Sequence, residues 1–164
     1  MGVQDIIEGL NIYRAVEACG ERVLRQWAET APEEEVREGF SIIAQREANH
    51  ARALAERIEA LGEQPGPSCV DDALARFIAQ AELTTETQAR FDLFDALLRG
   101  SGETAKVLAT CTQGIRTAFE QGDPDTRAML QEIFVDEKLS MDWCAAHSPN
   151  LTTASTGSGL SETS

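Results

Sequence analysis

Apolar residues recur along most of the chain at alternating steps of three and four, the spacing that places them on one face of an α-helix. This pattern predicts four long helices, A to D. Helix A covers residues 3–29, B runs from 33 to 61, C follows the break at 84–87 and ends at 121, and D covers 124–147. A shorter apolar pattern at 70–83 predicts an additional helix between B and C.

Residues typical of turns and helix caps separate these segments. Between A and B, Thr30 is a candidate N-cap, with Pro32 in the first turn and Glu33 completing a capping box. Gly62 and the following Pro-Gly-Pro-Ser sequence at 65–68 end helix B. Gly122-Asp123-Pro124 predicts that Asp123 caps helix D with Pro124 at its first position. Gly100-Ser101-Gly102 predicts a kink or bulge within C.

The order of these elements predicts an all-α fold. Two tight helical hairpins, A–B and C–D, are joined by a connection of about 20 residues that contains the short helix, and this topology is one variant of the four-helix bundle. We therefore expect residues 1–147 to form one bundle. Residues 148–164 are rich in Ser, Thr and Gly, and we expect this tail to be disordered.

Charge and cysteine usage narrow the range of partners and cellular locations. The net charge of −14 over 164 residues argues against binding to nucleic acid or to an anionic membrane. No apolar run approaches the roughly 20 residues of a membrane span, and acidic and polar residues interrupt the N-terminus too early for a signal peptide. None of the four cysteines lies in a CxxC pair. We expect reduced cysteines and a cytoplasmic protein.

Acidic residues interrupt the apolar stripes near the middle of each helix. Glu17 lies within the stripe of helix A, Glu47 and His50 within that of B, and Glu137 within that of D, while Glu103 lies at the edge of the stripe of C. An unpaired carboxylate in an apolar core costs several kcal/mol, and neighbouring carboxylates also repel one another. Bound cations remove both costs, so these residues are candidate metal ligands, and their oxygen and nitrogen donors suit iron or manganese.

The spacing of these residues matches most of a known di-iron pattern. That pattern has single glutamates on two helices and Glu-x-x-His on the other two. Here Glu17 and Glu103 are the single glutamates, and Glu47-Ala48-Asn49-His50 is one Glu-x-x-His motif. The corresponding residues of helix D are Glu137-Lys138-Leu139-Ser140, in which serine stands where the second histidine is expected.

With these motifs the chain resembles the ferritin-like di-iron carboxylate superfamily of ferritins, bacterioferritins and rubrerythrins. The residues Asp136-Glu137 and Asp142-Trp143 are similar to a bacterioferritin pattern on the last helix. The resemblance implies two iron ions per chain, bridged by Glu47 and Glu137. His50 would bind one of them, and Glu17 and Glu103 would be terminal ligands. With Ser140 in place of histidine, the second ion would be held more loosely.

Three functions follow as hypotheses. The first is a di-iron oxidoreductase that reacts with O2 or peroxide, of the ferroxidase or peroxidase type. The second is a metal-free helical module for oligomerisation or partner binding. The third is a di-iron oxygenase that acts on an organic substrate. We expect metal ions, O2 or peroxide as partners, together with a homo-oligomeric assembly. The sequence assigns no catalytic side chain and no organic cofactor.

Overall fold

The computed structural model of the protein describes residues 2–66, 72–98 and 104–148, without the side chains of 73, 98, 104–108 and 110. Within these residues the chain forms helices and no strands. The helices are α1 (Val3–Thr30), α2 (Glu34–Ala60), α3 (Asp72–Leu83), α4 (Thr87–Leu98), α5 (Thr104–Gln121) and α6 (Pro124–His147). The predicted all-α fold is therefore confirmed.

Four of the helices enclose a common core. The α1 helix packs against α2 and α5, and α6 packs against the same two helices from the opposite side. The short α3 helix of the connection lies against α1 and α5, and α4 contacts α5. The arrangement is a four-helix bundle with additional helices on its α1–α5 side. Predicted helix C corresponds to α4 and α5; its glycine-rich break at 100–102, the connection at 67–71 and the tail after 148 lie outside the described residues.

The turn between α1 and α2 corrects a prediction. Thr30 does not cap α2, because it is the last residue of α1 and its hydroxyl donates a hydrogen bond to the Gln26 carbonyl at 2.8 Å. Glu33 is the N-cap residue, without a side-chain capping bond. The Thr30 hydroxyl also accepts a hydrogen bond of 2.6 Å from Arg90 of α4. This tertiary contact, which the local pattern does not encode, gives Thr30 a partner at the end of α1.

The other two predicted helix ends are confirmed. Gly62 has a φ of 94°, a left-handed conformation that suits a residue just after a helix. Asp123 is the N-cap of α6, and its carboxylate accepts a hydrogen bond of 2.8 Å from the backbone N–H of Thr126. Arg57 of α2 also donates to this carboxylate, so the cap connects the end of the α2 helix to the start of α6.

Replacing Asp123 with Asn should give a pH-dependent loss of stability. The hydrogen bond from Thr126, followed by attraction to Arg57, lowers the pKa of Asp123 below its ordinary value of 3.8. The charged cap therefore stabilises the fold above pH 4, and this contribution is lost as the pH falls through the lowered pKa. Asn remains a good N-cap but has no charge.

Thermal melts across acidic pH should therefore show Asp123→Asn a few degrees below the wild-type protein at neutral pH, with the two curves converging in acid. The exposed Glu132 on the same helix provides the matched control, since Glu132→Gln removes a charge that caps no helix. An equal difference between Asp123→Asn and the wild type at every pH would contradict the assigned charge effect.

The buried apolar residues form two clusters at different levels of the bundle. One lies toward the α1–α2 turn and contains the rings of Trp27, Phe40 and Phe91, with Phe40 centred 5.4 Å from each of the other two. The second lies toward the α5–α6 turn and includes Leu10 and Leu130. Residues 17, 47, 50 and 137 lie between the two clusters on their helices, so a polar layer divides the apolar core.

Among the described residues, no helix is both long enough and apolar enough to cross a membrane.

Candidate metal centre

Three helices bring four predicted ligands together in the polar layer. Glu17 comes from α1, Glu47 and His50 from α2, and Glu137 from α6. On α2, a spacing of three residues places Glu47 and His50 on the same helix face. One potential ligand atom from each of the four side chains lies within 4.8 Å of the others. This arrangement of three carboxylates and one imidazole could hold a metal ion.

The imidazole of His50 lies at the centre of the cluster's contacts. Its Nδ1 atom is 3.1 Å from Glu17 Oε2 and 3.3 Å from Glu137 Oε1. Its Nε2 atom, on the other side of the ring, is 3.2 Å from Asp136 Oδ2. The Nδ1 atom thus faces the carboxylate cluster, while Asp136 fixes the ring orientation from outside. A carboxylate on the second ring nitrogen is the usual support for a histidine that binds a metal.

Burial of these ionisable side chains is energetically unfavourable in the metal-free protein. Glu17 is 2% exposed, Glu47 8% and His50 4%. Burial raises the pKa of Glu17, and burial followed by repulsion from Glu17 and Glu137 raises the pKa of Glu47 well above its ordinary value. Burial alone would lower the pKa of His50, but contacts with Glu137 and Glu17 outweigh it and raise that pKa to about 10. Without a bound cation, Glu17, Glu47 and His50 are therefore shifted toward their protonated forms.

One oxygen of the cluster lacks the hydrogen bond that a buried atom normally has. Glu137 Oε1 is buried and has no hydrogen-bond partner, although it lies 3.3 Å from His50 Nδ1. The hydrogen bond of His50 Nδ1 goes instead to the Glu17 oxygen, at 3.1 Å. An unpartnered buried carboxylate oxygen is costly, and a coordinated cation would satisfy it.

Space for the Glu47 carboxylate depends on a glycine. A Cβ atom at Gly20 of α1 would lie 2.6 Å from Glu47 Oε2, so any larger residue at position 20 would displace that carboxylate. Gly20 lies one helical turn from Glu17 on α1. It therefore permits the close approach of the carboxylates from α1 and α2.

The position of the missing second histidine is occupied differently. Ser140 is 1% exposed, its hydroxyl donates to the Asp136 carbonyl at 3.1 Å, and it accepts a hydrogen bond of 3.1 Å from Arg46. Arg46 thus brings a positive charge to the side of the cluster where the di-iron pattern has a second imidazole. The fifth predicted ligand, Glu103, lies outside the described residues.

Arg46 was not predicted as a neighbour of the cluster, and Asp136 was predicted only as part of the pattern on the last helix. Asp136 and Arg46 each immediately precede a predicted ligand, so they lie about 100° around the helix from it and off the apolar stripe. The Asp136 carboxylate nevertheless reaches His50, and the long Arg46 side chain reaches Ser140. A charged residue directly before a stripe glutamate on both α2 and α6 was the available signal.

The residues present fit one iron or manganese ion. Carboxylate oxygens and an imidazole nitrogen are the donors that both metals accept. Glu17, Glu47, Glu137 and His50 Nδ1 would be the ligands, and the unpartnered Glu137 oxygen and the Asp136 support of His50 are the features expected around such a site. A bound cation would also offset the carboxylate repulsion.

Comparison with known protein families gives a match that covers most of the chain. No match is found among curated proteins or among solved structures. The family model described as the ferritin-like domain matches residues 26–154, a range that includes Glu47, His50 and Glu137 and begins after Glu17. This match covers well over half of the chain and agrees with the helical bundle, and the protein therefore belongs to the ferritin-like domain family.

Proposed function

We propose that the protein binds iron through Glu17, Glu47, His50 and Glu137 and is a ferroxidase- or peroxidase-type oxidoreductase. The observation that carries this proposal is the convergence of these four side chains, three of them buried and Glu137 partly buried, with one Glu137 oxygen left without a hydrogen-bond partner. Iron bound there would supply electron exchange with O2 or peroxide. Manganese fits the same donors, so Mn(II) should compete with Fe(II) for the site.

The chain's own residues would control the site in three ways. The carboxylates would bind the cation and release protons on binding, because burial and mutual repulsion keep the pKa values of Glu17 and Glu47 high in its absence. Asp136 would hold the His50 ring in the orientation that presents Nδ1. The apolar clusters on either side would limit the access of water to the layer.

A second iron ion would be bound more weakly than the first. The four clustered residues complete one coordination set, whereas a second set would require Glu103 and a donor at position 140. The Ser140 hydroxyl is already hydrogen-bonded to Arg46 and to the Asp136 carbonyl. The guanidinium of Arg46 would also repel a cation there. We therefore expect unequal affinities for two ions, with the first held by Glu17, Glu47, His50 and Glu137.

An anaerobic Fe(II) titration of the metal-free protein tests the proposal. We expect one tight equivalent per chain followed by weaker binding, and exposure to O2 should then produce near-ultraviolet absorbance from ferric ion. Equilibrium dialysis with metal analysis gives the stoichiometry independently of any oxidation. Absence of saturable binding would overturn the proposal and favour a metal-free module for oligomerisation or partner binding.

The mass of the assembly in solution separates two uses of iron oxidation. Storage of oxidised iron requires an enclosed volume, so it predicts a large symmetric homo-oligomer. Detoxification or peroxide reduction at individual sites predicts a small one. Size-exclusion chromatography with light scattering distinguishes these outcomes.

A further inference from the structure

A second feature of the bundle lies directly beside the carboxylates. A cavity of about 210 Å³ opens between α1 and α5 and is bounded on its outer side by α3 and α4. Glu17, Glu47 and Glu137 form part of its lining. The rest of the lining is mostly apolar and includes Phe77 of α3 and Phe94 of α4.

Small residues at the level of the cluster leave this space open. On α1, Cys19 and Gly20 line the cavity, and on α5 it is lined by Cys111 and Thr112. Long apolar side chains at these positions would fill the gap between the bundle and the covering helices. The small side chains at these four positions therefore contribute to the open space.

We propose that this cavity binds a small, neutral, mainly apolar organic molecule. An apolar cavity of about 150 Å³ in another protein stays free of water and binds benzene, so about 210 Å³ accommodates a single ring with a short substituent. The mostly apolar lining disfavours an anionic ligand, because a carboxylate would lose its hydration there without a compensating partner. The apolar walls disfavour a strongly hydrated cation, which would lose its water without replacement.

The position of the cavity gives this ligand a functional meaning. A molecule in the cavity would lie against the side chains proposed to hold iron. It would therefore be placed as an organic substrate that the iron centre oxidises. That interpretation rests on the proposed function, whereas binding itself requires only the cavity. Binding is therefore tested on the metal-free protein.

Isothermal titration with toluene, and with benzoate as a ring of similar size that carries a negative charge, tests the proposal. We expect saturable binding of one toluene per chain and at least about ten-fold weaker binding of benzoate. Absence of saturable toluene binding, or equal binding of both probes, would overturn the proposal. Neither result depends on iron, so failure of the iron titration and failure of toluene binding are separate outcomes.

Variants that fill the cavity show where the probe binds. Ile78→Phe adds a ring to the lining from α3, and Val16→Phe narrows the cavity from α1 in case the first variant does not fold. Leu83→Phe is the matched control, since Leu83 is on the same helix as Ile78 but is 82% exposed. We expect a folded cavity-filling variant, checked by circular dichroism, to weaken toluene binding at least ten-fold while Leu83→Phe leaves it unchanged. Unchanged binding in a folded filled variant would contradict the assigned location.

Discussion

The Glu47→Gln variant is expected to lose tight Fe(II) binding while gaining stability in its metal-free form. Glu47 interacts unfavourably with the carboxylates of Glu17 and Glu137. Gln keeps its shape but removes one carboxylate ligand. Loss of a residue that only supports a ligand typically lowers metal affinity by about 10- to 100-fold, so loss of a ligand should exceed that range. Equilibrium dialysis with Fe(II) under anaerobic conditions measures the change directly.

The stability of the metal-free variant should move in the opposite direction. Glu47 is 8% exposed, and burial together with repulsion from neighbouring carboxylates opposes its ionisation. Removal of this ionisable group relieves an unfavourable interaction, as replacement of buried charges often does. We therefore expect a higher melting temperature for the metal-free variant than for the metal-free wild-type protein, and a smaller increase on adding Fe(II).

The exposed Glu38 on the same helix is the matched control. Glu38→Gln makes the same chemical change away from the cluster, and it should alter neither iron binding nor melting temperature appreciably. If Glu47→Gln retained wild-type iron affinity, Glu47 would not be a ligand. If it lowered the stability of the metal-free protein, the native carboxylate would be contributing hydrogen bonds worth more than its charge costs.

Much of the bundle was predictable because a helix repeats its faces every few residues. The apolar stripe of α1, from Ile6 through Leu10 to Trp27, is buried as predicted. The same periodicity placed Glu17 and Glu47 in the core, and turn chemistry located Asp123 as a cap. These features depend on local spacing alone, which the sequence contains directly.

Contacts made across the bundle were less predictable. Thr30 is read locally as a cap, yet Arg90 from a helix 60 residues away donates to its hydroxyl. Arg46 reaches Ser140, and Asp136 reaches His50, through side chains that begin off the apolar stripe. Such contacts depend on helix separation and side-chain rotamers. The cavity beside the carboxylates likewise depends on how α3 and α4 cover the bundle, which periodicity does not specify.

Replacement of Phe40 by Ala is expected to destabilise the fold severely without removing the candidate metal ligands. Phe40 is 0% exposed, and its ring centre lies 5.4 Å from those of Trp27 and Phe91 and 5.8 Å from that of Trp143. Truncation of a buried phenylalanine typically costs about 3–5 kcal/mol, which corresponds to a decrease of roughly 10 °C in the melting temperature of a domain of this size. Differential scanning calorimetry would measure this change.

The exposed Ile42 provides the comparison for Phe40, since it lies on the same helix and is 56% exposed. Ile42→Ala should change the melting temperature by only a degree or two, because its side chain contributes little to the core.

Phe40 lies two helical turns from Glu47, in the apolar cluster toward the α1–α2 turn, so Phe40→Ala should keep the iron stoichiometry at temperatures where it remains folded. Glu47→Gln would then weaken iron binding and raise metal-free stability, whereas Phe40→Ala would lower stability and leave iron binding unchanged. A small decrease in melting temperature for Phe40→Ala would mean that neighbouring rings collapse into the space. Loss of iron binding in the folded variant would mean that the aromatic cluster positions the carboxylates, and that the polar layer is not independent of the apolar cluster beside it.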